Sequence, residues 1–265
     1  MFLPLLLLPI LASHVPLLTS VSSPLPLASH EVYSDESQDD SELPLLLLVN
    51  KSKETELHKD WSPEDMVAID SEFMAPGSRG ELRADAAAAL ENLLKAGERE
   101  GHEIRVRSAF RSFAKQGRIF HNKTRRYGFP RASRVSAEAG HSQHQLGTTV
   151  DIVLPRYRNR ITQRIAKSPE WKWLSSTAHE FGFALSYPRS QEELTGYMYE
   201  PWHYRYLGIA AATEMWERDM PMETYLRACR EGDRDLRCGD ELADDCAGNQ
   251  SVAQESPRRL LDGEF

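Results

Sequence analysis

Residues 1–30 contain no Asp, Glu, Lys or Arg. Nothing after them reaches the roughly 18 continuous apolar residues that a membrane-spanning helix needs. No dense basic stripe with interleaved aromatics occurs, which gives no case for nucleic acid as a partner. Cysteine is scarce: Cys229, Cys238 and Cys246 are the only three, all near the C-terminal end. A thiolate metal site elsewhere is thereby excluded, and an odd number leaves at least one unpaired within a monomer. A Cys229–Cys238 or a Cys238–Cys246 bridge is possible. The motif H-E-x-x-H is also missing, since His179-Glu180 runs into Phe181-Gly182-Phe183. That removes the helix-borne zinc site of this type. There is no internal repeat.

Charge divides the chain. Residues 31–42 carry six acids and no base, and residues 231–265 carry a net −6. The stretch between, 43–230, is mildly basic at net +4, although the whole chain is −8. We expect 1–30 to be a signal peptide or a disordered N-terminus, because its apolar run is too short to span a membrane and suits an h-region. It lacks a basic n-region, so a retained anchor is the alternative. Residues 31–42 read as an acidic linker, 43–230 as the folded domain and 231–265 as an acidic disordered tail. Export to the periplasm or cell envelope follows from that reading.

Within 43–230 the elements do not alternate regularly, so the expected class is α+β. We expect a single domain with a small, mainly antiparallel sheet flanked by helices and a metal in a surface cleft. Leu45–Val49 reads as a buried strand between Pro44 and Asn50. Ser78 and Glu81 stand at capping-box spacing, which predicts a helix running to Gly101 through Leu82, Ala86, Leu90, Leu93, Leu94 and Gly97. Ile104–Ser108 alternates as a strand, 112–127 reads as a helix and 128–142 as a loop. A strand is expected over 148–154, stopped by Pro155, and a helix over 170–181. Short strands at 183–186 and 202–207 precede helices near 208–218 and 221–230.

Chemistry concentrates in three segments. Ser142 to Asp151 contains His144 and Asp151, seven apart with Gly147 between them. A tight turn at Gly147 lets a loop imidazole fold back beside a strand carboxylate. Glu200-Pro201-Trp202-His203 holds a carboxylate and an imidazole three apart. Pro201 disfavours a regular helix there and keeps Glu200 extended. The third segment, Ser108 to Ser112, supplies Arg111. His144, Asp151 and His203 offer two nitrogens and one oxygen, with either ring nitrogen open on each histidine. Such a set plus one water suits Zn2+ better than magnesium or calcium. Glu200 is then the spare carboxylate that moves protons, and Arg111 the cation for a developing oxyanion.

These segments resemble those of the zinc D-alanyl-D-alanine carboxypeptidases of the vancomycin-resistance type, VanY-like members of the LAS metallopeptidases. The family pattern is S-x-H-x-x-G-x-x-x-D, then E-x-W-H, after S-x-Y-R-S-x-x-x-Q. The last reads Ser108-Ala109-Phe110-Arg111-Ser112-Phe113-Ala114-Lys115-Gln116 here, with Phe110 where Tyr is usual, so a hydroxyl is lost. The resemblance covers about 45–207. It implies His144, Asp151 and His203 as ligands of one zinc, Glu200 as the base, and Arg111 at the oxyanion or substrate carbonyl. Ser142 and Gln116 match residues that contact the substrate. The implied reaction is removal of the C-terminal D-alanine from peptidoglycan stem peptides by zinc-activated water, and a monomer is expected.

Blander readings stand beside these. His141 lines the cleft or faces solvent. Gln116 can sit on an exposed helix face, and Ser142 can be a turn residue. Arg156, Arg158, Arg160 and Arg164 read as a solvated loop. Ser112-Phe113-Ala114-Lys115 matches S-x-x-K by letter, but S-x-N and K-T-G are absent, so a serine peptidase is set aside. Three alternatives remain: an L,D-carboxypeptidase, a cross-link endopeptidase, and a non-catalytic zinc-containing cell-wall binding module. A purely structural site has no use for Glu200.

Overall fold

The structure, a computed structural model, describes residues 45–239. The expected leader, the acidic linker, Cys246 and the end of the tail lie outside them. Among the described residues two sheets form, both antiparallel. The smaller pairs β1 (Met66–Ala68) with β2 (Glu81–Arg83). The larger has β3 (Arg105–Ser108), β4 (Thr149–Val153), β5 (Phe183–Leu185) and β6 (His203–Tyr206) in the order β3-β4-β6-β5. The expected α+β class is what is observed.

Every residue of β4 is buried, because it sits between β3 and β6 with both faces covered. Its run Thr-Val-Asp-Ile-Val is therefore apolar except where chemistry intervenes. One face packs on α1 (Ala84–Arg99), whose Ala86, Leu90, Leu93, Leu94 and Gly97 form the apolar stripe expected. Gly97 lets the Trp173 ring approach, since a Cβ there would lie 3.1 Å from it. Trp173 belongs to α4 (Pro169–Thr177), which begins with Ser168 accepting a hydrogen bond from the Trp171 amide. A second apolar cluster joins α6 (Ile209–Glu217) and α7 (Met222–Glu231) through Met215, Met222, Tyr225 and Leu226.

Four expectations are corrected. Glu81–Arg83 is not a helix start. Its backbone pairs with β1, and α1 begins only at Ala84, so the Ser78/Glu81 spacing was a coincidence of letters. Leu45–Val49 is irregular, not a strand. The fully buried Arg205 guanidinium donates from Nη2 to the carbonyls of Leu45 and Leu47, 2.8 Å each, and takes the place of a strand neighbour. Between Gly128 and Ser142 a short helix forms, α3 (Phe129–Arg134), with Pro130 in its first turn. The fold also continues past 231: Leu236 is buried in the second cluster, and Cys229 and Cys238 form a disulfide.

The helix that begins after Ser112 is α2 (Phe113–Tyr127), capped by the Ser112 hydroxyl accepting from the Lys115 amide. A one-turn helix, α5 (Glu192–Thr195), lies between β5 and β6 in the chain.

Candidate active site and metal centre

Register builds the site. Asp151 on β4 lies directly opposite Ser108 on β3 and opposite His203 on β6. Adjacent cross-strand residues have Cβ atoms about 4.5–5.5 Å apart, so Asp151 and His203 meet without help from any loop. His144 arrives differently. Gln143–Leu146 form a single 3-10 turn, ended by Gly147 at φ 71°. The left-handed conformation favours glycine. Space enforces it as well: a Cβ on Gly147 would sit 2.9 Å from Met66 Sδ and Pro63 Cγ. The chain thus reverses and lays the His144 ring beside Asp151, as the spacing predicts.

The Glu200–His203 segment is a β-turn closed by the His203 amide donating to the Glu200 carbonyl, 3.0 Å. Pro201 takes the second position, where its fixed φ is favoured. The turn leads into β6 and leaves Glu200 Oε2 3.6 Å from His203 Nδ1. Arg111 lies on the chain leaving β3, and its Nη1 is 3.9 Å from Asp151 Oδ2.

The ring nitrogens, left open above, are now assigned. His144 Nδ1 is 2.7 Å from the Ala109 carbonyl, so it carries the hydrogen and donates, leaving the Nε2 lone pair free. Nε2 faces Asp151 Oδ2 at 3.3 Å. His203 is the mirror case: Nε2 donates to Gln143 Oε1 at 3.1 Å, and Nδ1 faces Asp151 Oδ1 at 3.2 Å. Ligand atoms of His144, Asp151 and His203 all lie within 4.8 Å of one another.

Electrostatics agree with this arrangement. Burial, aided by Arg111, pushes His144 down to about 4, and burial also lowers His203. Both rings are therefore neutral ligands at pH 7. Burial opposes the charge of Asp151, yet the two imidazoles and Arg111 outweigh it and hold the carboxyl well below its usual range. Glu200 goes the other way: burial, then the Asp151 charge, raise it to about 8. Two carboxylates in one site thus differ in proton affinity, the pattern of an acid–base centre.

His144 Nε2 and Asp151 Oδ1 are buried and have no hydrogen-bond partner. Buried donors and acceptors are normally satisfied. Two such atoms aimed at one point, with a third at His203 Nδ1, fit a divalent metal with a nitrogen-and-oxygen ligand set.

Gln116 is buried at 1% exposure, not on an exposed face. Its Nε2 donates to the Ala137 carbonyl at 2.6 Å, and only Oε1 is left without a partner. Ser142 is buried immediately before the His144 turn. His141 is engaged elsewhere, with Nδ1 2.9 Å from the Asn50 carbonyl. Two residues escaped the sequence reading. Lys123 donates to the Val135 carbonyl at 2.7 Å, and its charge acts on Glu200, Arg111 and Asp151. It stands seven residues after Gln116, on the same helix face, which is the signal that was there to find. Gln143 is the other, and a polar letter inside a motif carried no signal of its contacts.

Fold and site together define a protein class: small α+β domains with a buried His/Asp/His group able to hold a metal and a further carboxylate beside it. The chain matches the VanY family of D-alanyl-D-alanine carboxypeptidases over residues 79–209. It is 33% identical over 183 residues to a putative carboxypeptidase, YodJ, of Bacillus subtilis (strain 168), covering 68% of this chain and 66% of that one. Among solved structures, an LD-carboxypeptidase, LdcB, superposes with a TM-score of 0.64 at 32% identity, over 69% of this chain and 86% of the other. A vancomycin-resistance D,D-pentapeptidase VanY mutant in complex with Zn(II) gives 0.54 at 29%, over 68% and 98%. The chain belongs to the VanY family. It spans just under two thirds of the length of the first curated relatives it matches.

Proposed function

We propose that this protein is a zinc-dependent carboxypeptidase that removes the C-terminal D-alanine from peptidoglycan stem peptides, and that it works at the cell envelope. The observation that carries the reading is the convergence of His144 Nε2, Asp151 and His203 Nδ1 with Glu200 Oε2 3.6 Å from the last. The names of similar proteins support the substrate class, including a VanY protein in complex with D-alanine-D-alanine.

Zinc held by the three ligands would supply Lewis acidity and bring the pKa of a water from 15.7 towards about 7. Glu200 accepts the proton of the attacking water and returns it to the leaving amine, and burial strengthens its hold on the proton between the two steps. Arg111 faces the same space and offers its guanidinium to the carbonyl oxygen as charge develops there. Gln116 and Ser142 are our candidates for substrate contact: the Ser142 hydroxyl can donate to the peptide's terminal carboxylate, and Gln116, whose free atom is Oε1, can accept from a peptide N–H. Lys123 adds a second cation near Glu200 and favours its charged form.

An L,D-carboxypeptidase is the second reading, favoured by the likeness to LdcB. Mass spectrometry of defined muropeptides separates the two. Loss of one alanine from the pentapeptide alone supports D,D specificity; loss from the tetrapeptide alone supports L,D. No release from either, with zinc bound, overturns both.

A further inference from the structure

Gln143 sits inside the Ser142–Gly147 turn and is buried at 4% exposure. Its side-chain carbonyl, Oε1, accepts two hydrogen bonds. One comes from His203 Nε2 at 3.1 Å and one from the Ser186 hydroxyl at 2.7 Å. Its amide nitrogen faces the sulfur of Met222 on α7 at 3.9 Å. The Gln143 backbone carbonyl is held too, by the Thr149 hydroxyl at 3.1 Å.

This surrounding permits one orientation of the amide. A thioether has no hydrogen to donate. If the amide turned over, Oε1 would face Met222 Sδ and lose both donors, leaving a buried carbonyl unsatisfied. The NH2 group would then donate to His203 Nε2, and the ring hydrogen would move to Nδ1. Nδ1 is the atom 3.2 Å from Asp151 Oδ1 and the one facing the ligand point. A protonated Nδ1 cannot ligate. The ring plane is held as well: Tyr187 lies 4.7 Å away, centroid to centroid, and His144 packs edge-on at 4.9 Å.

We infer that Gln143 is a positioning residue of the metal centre: it holds His203 in the Nε2–H tautomer, with Ser186 and Met222 locking the amide so that Nδ1 is presented to the metal. The inference rests on the metal-centre reading above. It adds a residue that the ligand pattern does not contain, and it links the centre to α7, the helix tied down by the Cys229–Cys238 disulfide.

The test uses the full-length metal-free protein, titrated with zinc against a chromophoric chelator, and long-range proton–nitrogen spectra of the histidine rings. Wild type should show His203 with the hydrogen on Nε2. Gln143→Leu keeps the volume and removes the acceptor, so it should weaken zinc binding about 10- to 100-fold, the usual loss when a ligand's outer partner is removed. It should also let the His203 hydrogen appear on Nδ1. Gln143→Glu keeps an acceptor and should stay within about threefold of wild type in zinc affinity, under the same principle. A Gln143→Leu protein with wild-type affinity and an unchanged His203 spectrum would overturn the inference. So would a wild-type ring carrying its hydrogen on Nδ1, a result that stands even if Gln143→Leu does not fold. A wild type that binds no zinc at all sinks the metal-centre reading itself, and this inference with it.

Discussion

Two parts of the molecule contain a buried histidine among aromatic rings, and only one is built for chemistry. One is a hollow of about 510 Å³ bordered by Trp171, His179, Tyr204, Met215 and Trp216. It has room, but His179 lies flat against Trp216 at 4.1 Å, and among the described residues no carboxylate joins it and a second ligand in a metal-holding group. The centre at β4 and β6 is tighter. There, Asp151 and Glu200 keep only 7% and 8% of their surface exposed. Yet His144 Nε2 and Asp151 Oδ1 are buried without partners, and every neighbouring ring nitrogen is already committed to one role. Unsatisfied buried acceptors aimed at one point identify a site better than volume does.

Breaking that contrast gives an ordered set of outcomes. The largest belongs to the ligands: Asp151→Asn or His203→Ala should abolish stoichiometric zinc binding and all measurable hydrolysis, read by metal analysis and muropeptide mass spectrometry. Glu200→Gln should keep one zinc and lose about 10²–10⁴-fold in kcat, the contribution of a positioned proton-transfer group. Arg111→Ala should lose about 10²–10³-fold in kcat, with zinc affinity little changed.

Smaller effects concern protons. The folded pKa of Glu200, about 8, is above its ordinary 4.5. Its contribution to folding is therefore complete below 4.5 and is lost as pH rises from 4.5 to 8. In metal-free protein Glu200→Gln escapes that loss, so its Tm should exceed that of wild type at pH 8 by more than it does at pH 5. Each kcal/mol is worth about 2–4 °C in a domain of this size. The histidines work at the other end, since His144 and His203 are lowered and their stability is lost as pH falls below 6.5. Lys123→Met removes a cation that favours charged Glu200, so the acid limb of the kcat/KM profile should move to higher pH. Smallest of all, His179→Ala in the hollow should cost stability and leave kcat/KM within about twofold of wild type, because surface and packing changes far from a site seldom touch chemistry.

The same contrast explains what could be read in advance. Asp151 and His203 were legible because both sit on short strands beside motif letters at fixed spacing, and His144 because Gly147 marks the turn that returns it. The ligand nitrogens were not legible, since each depends on one carbonyl, of Ala109 or of the Gln143 side chain, brought from elsewhere in the chain. Glu81–Arg83 misled because a three-residue strand carries too little alternation to compete with a capping-box spacing. Leu45–Val49 misled for another reason: four leucines and a valine look like a strand, while the carbonyl partners come from the Arg205 side chain, which no periodicity reveals. Lys123 left only its helical spacing from Gln116 as a signal, and Gln143 acts through three-dimensional neighbours alone.

The most direct test of the central claim is one assay on the full-length protein with a defined muropeptide pentapeptide, run with zinc, after chelation, and with Glu200→Gln. The account expects alanine release with zinc, none after chelation, recovery when zinc is restored, and almost none from a Glu200→Gln protein that still binds one zinc. Alanine release that survives both chelation and Glu200→Gln would contradict it.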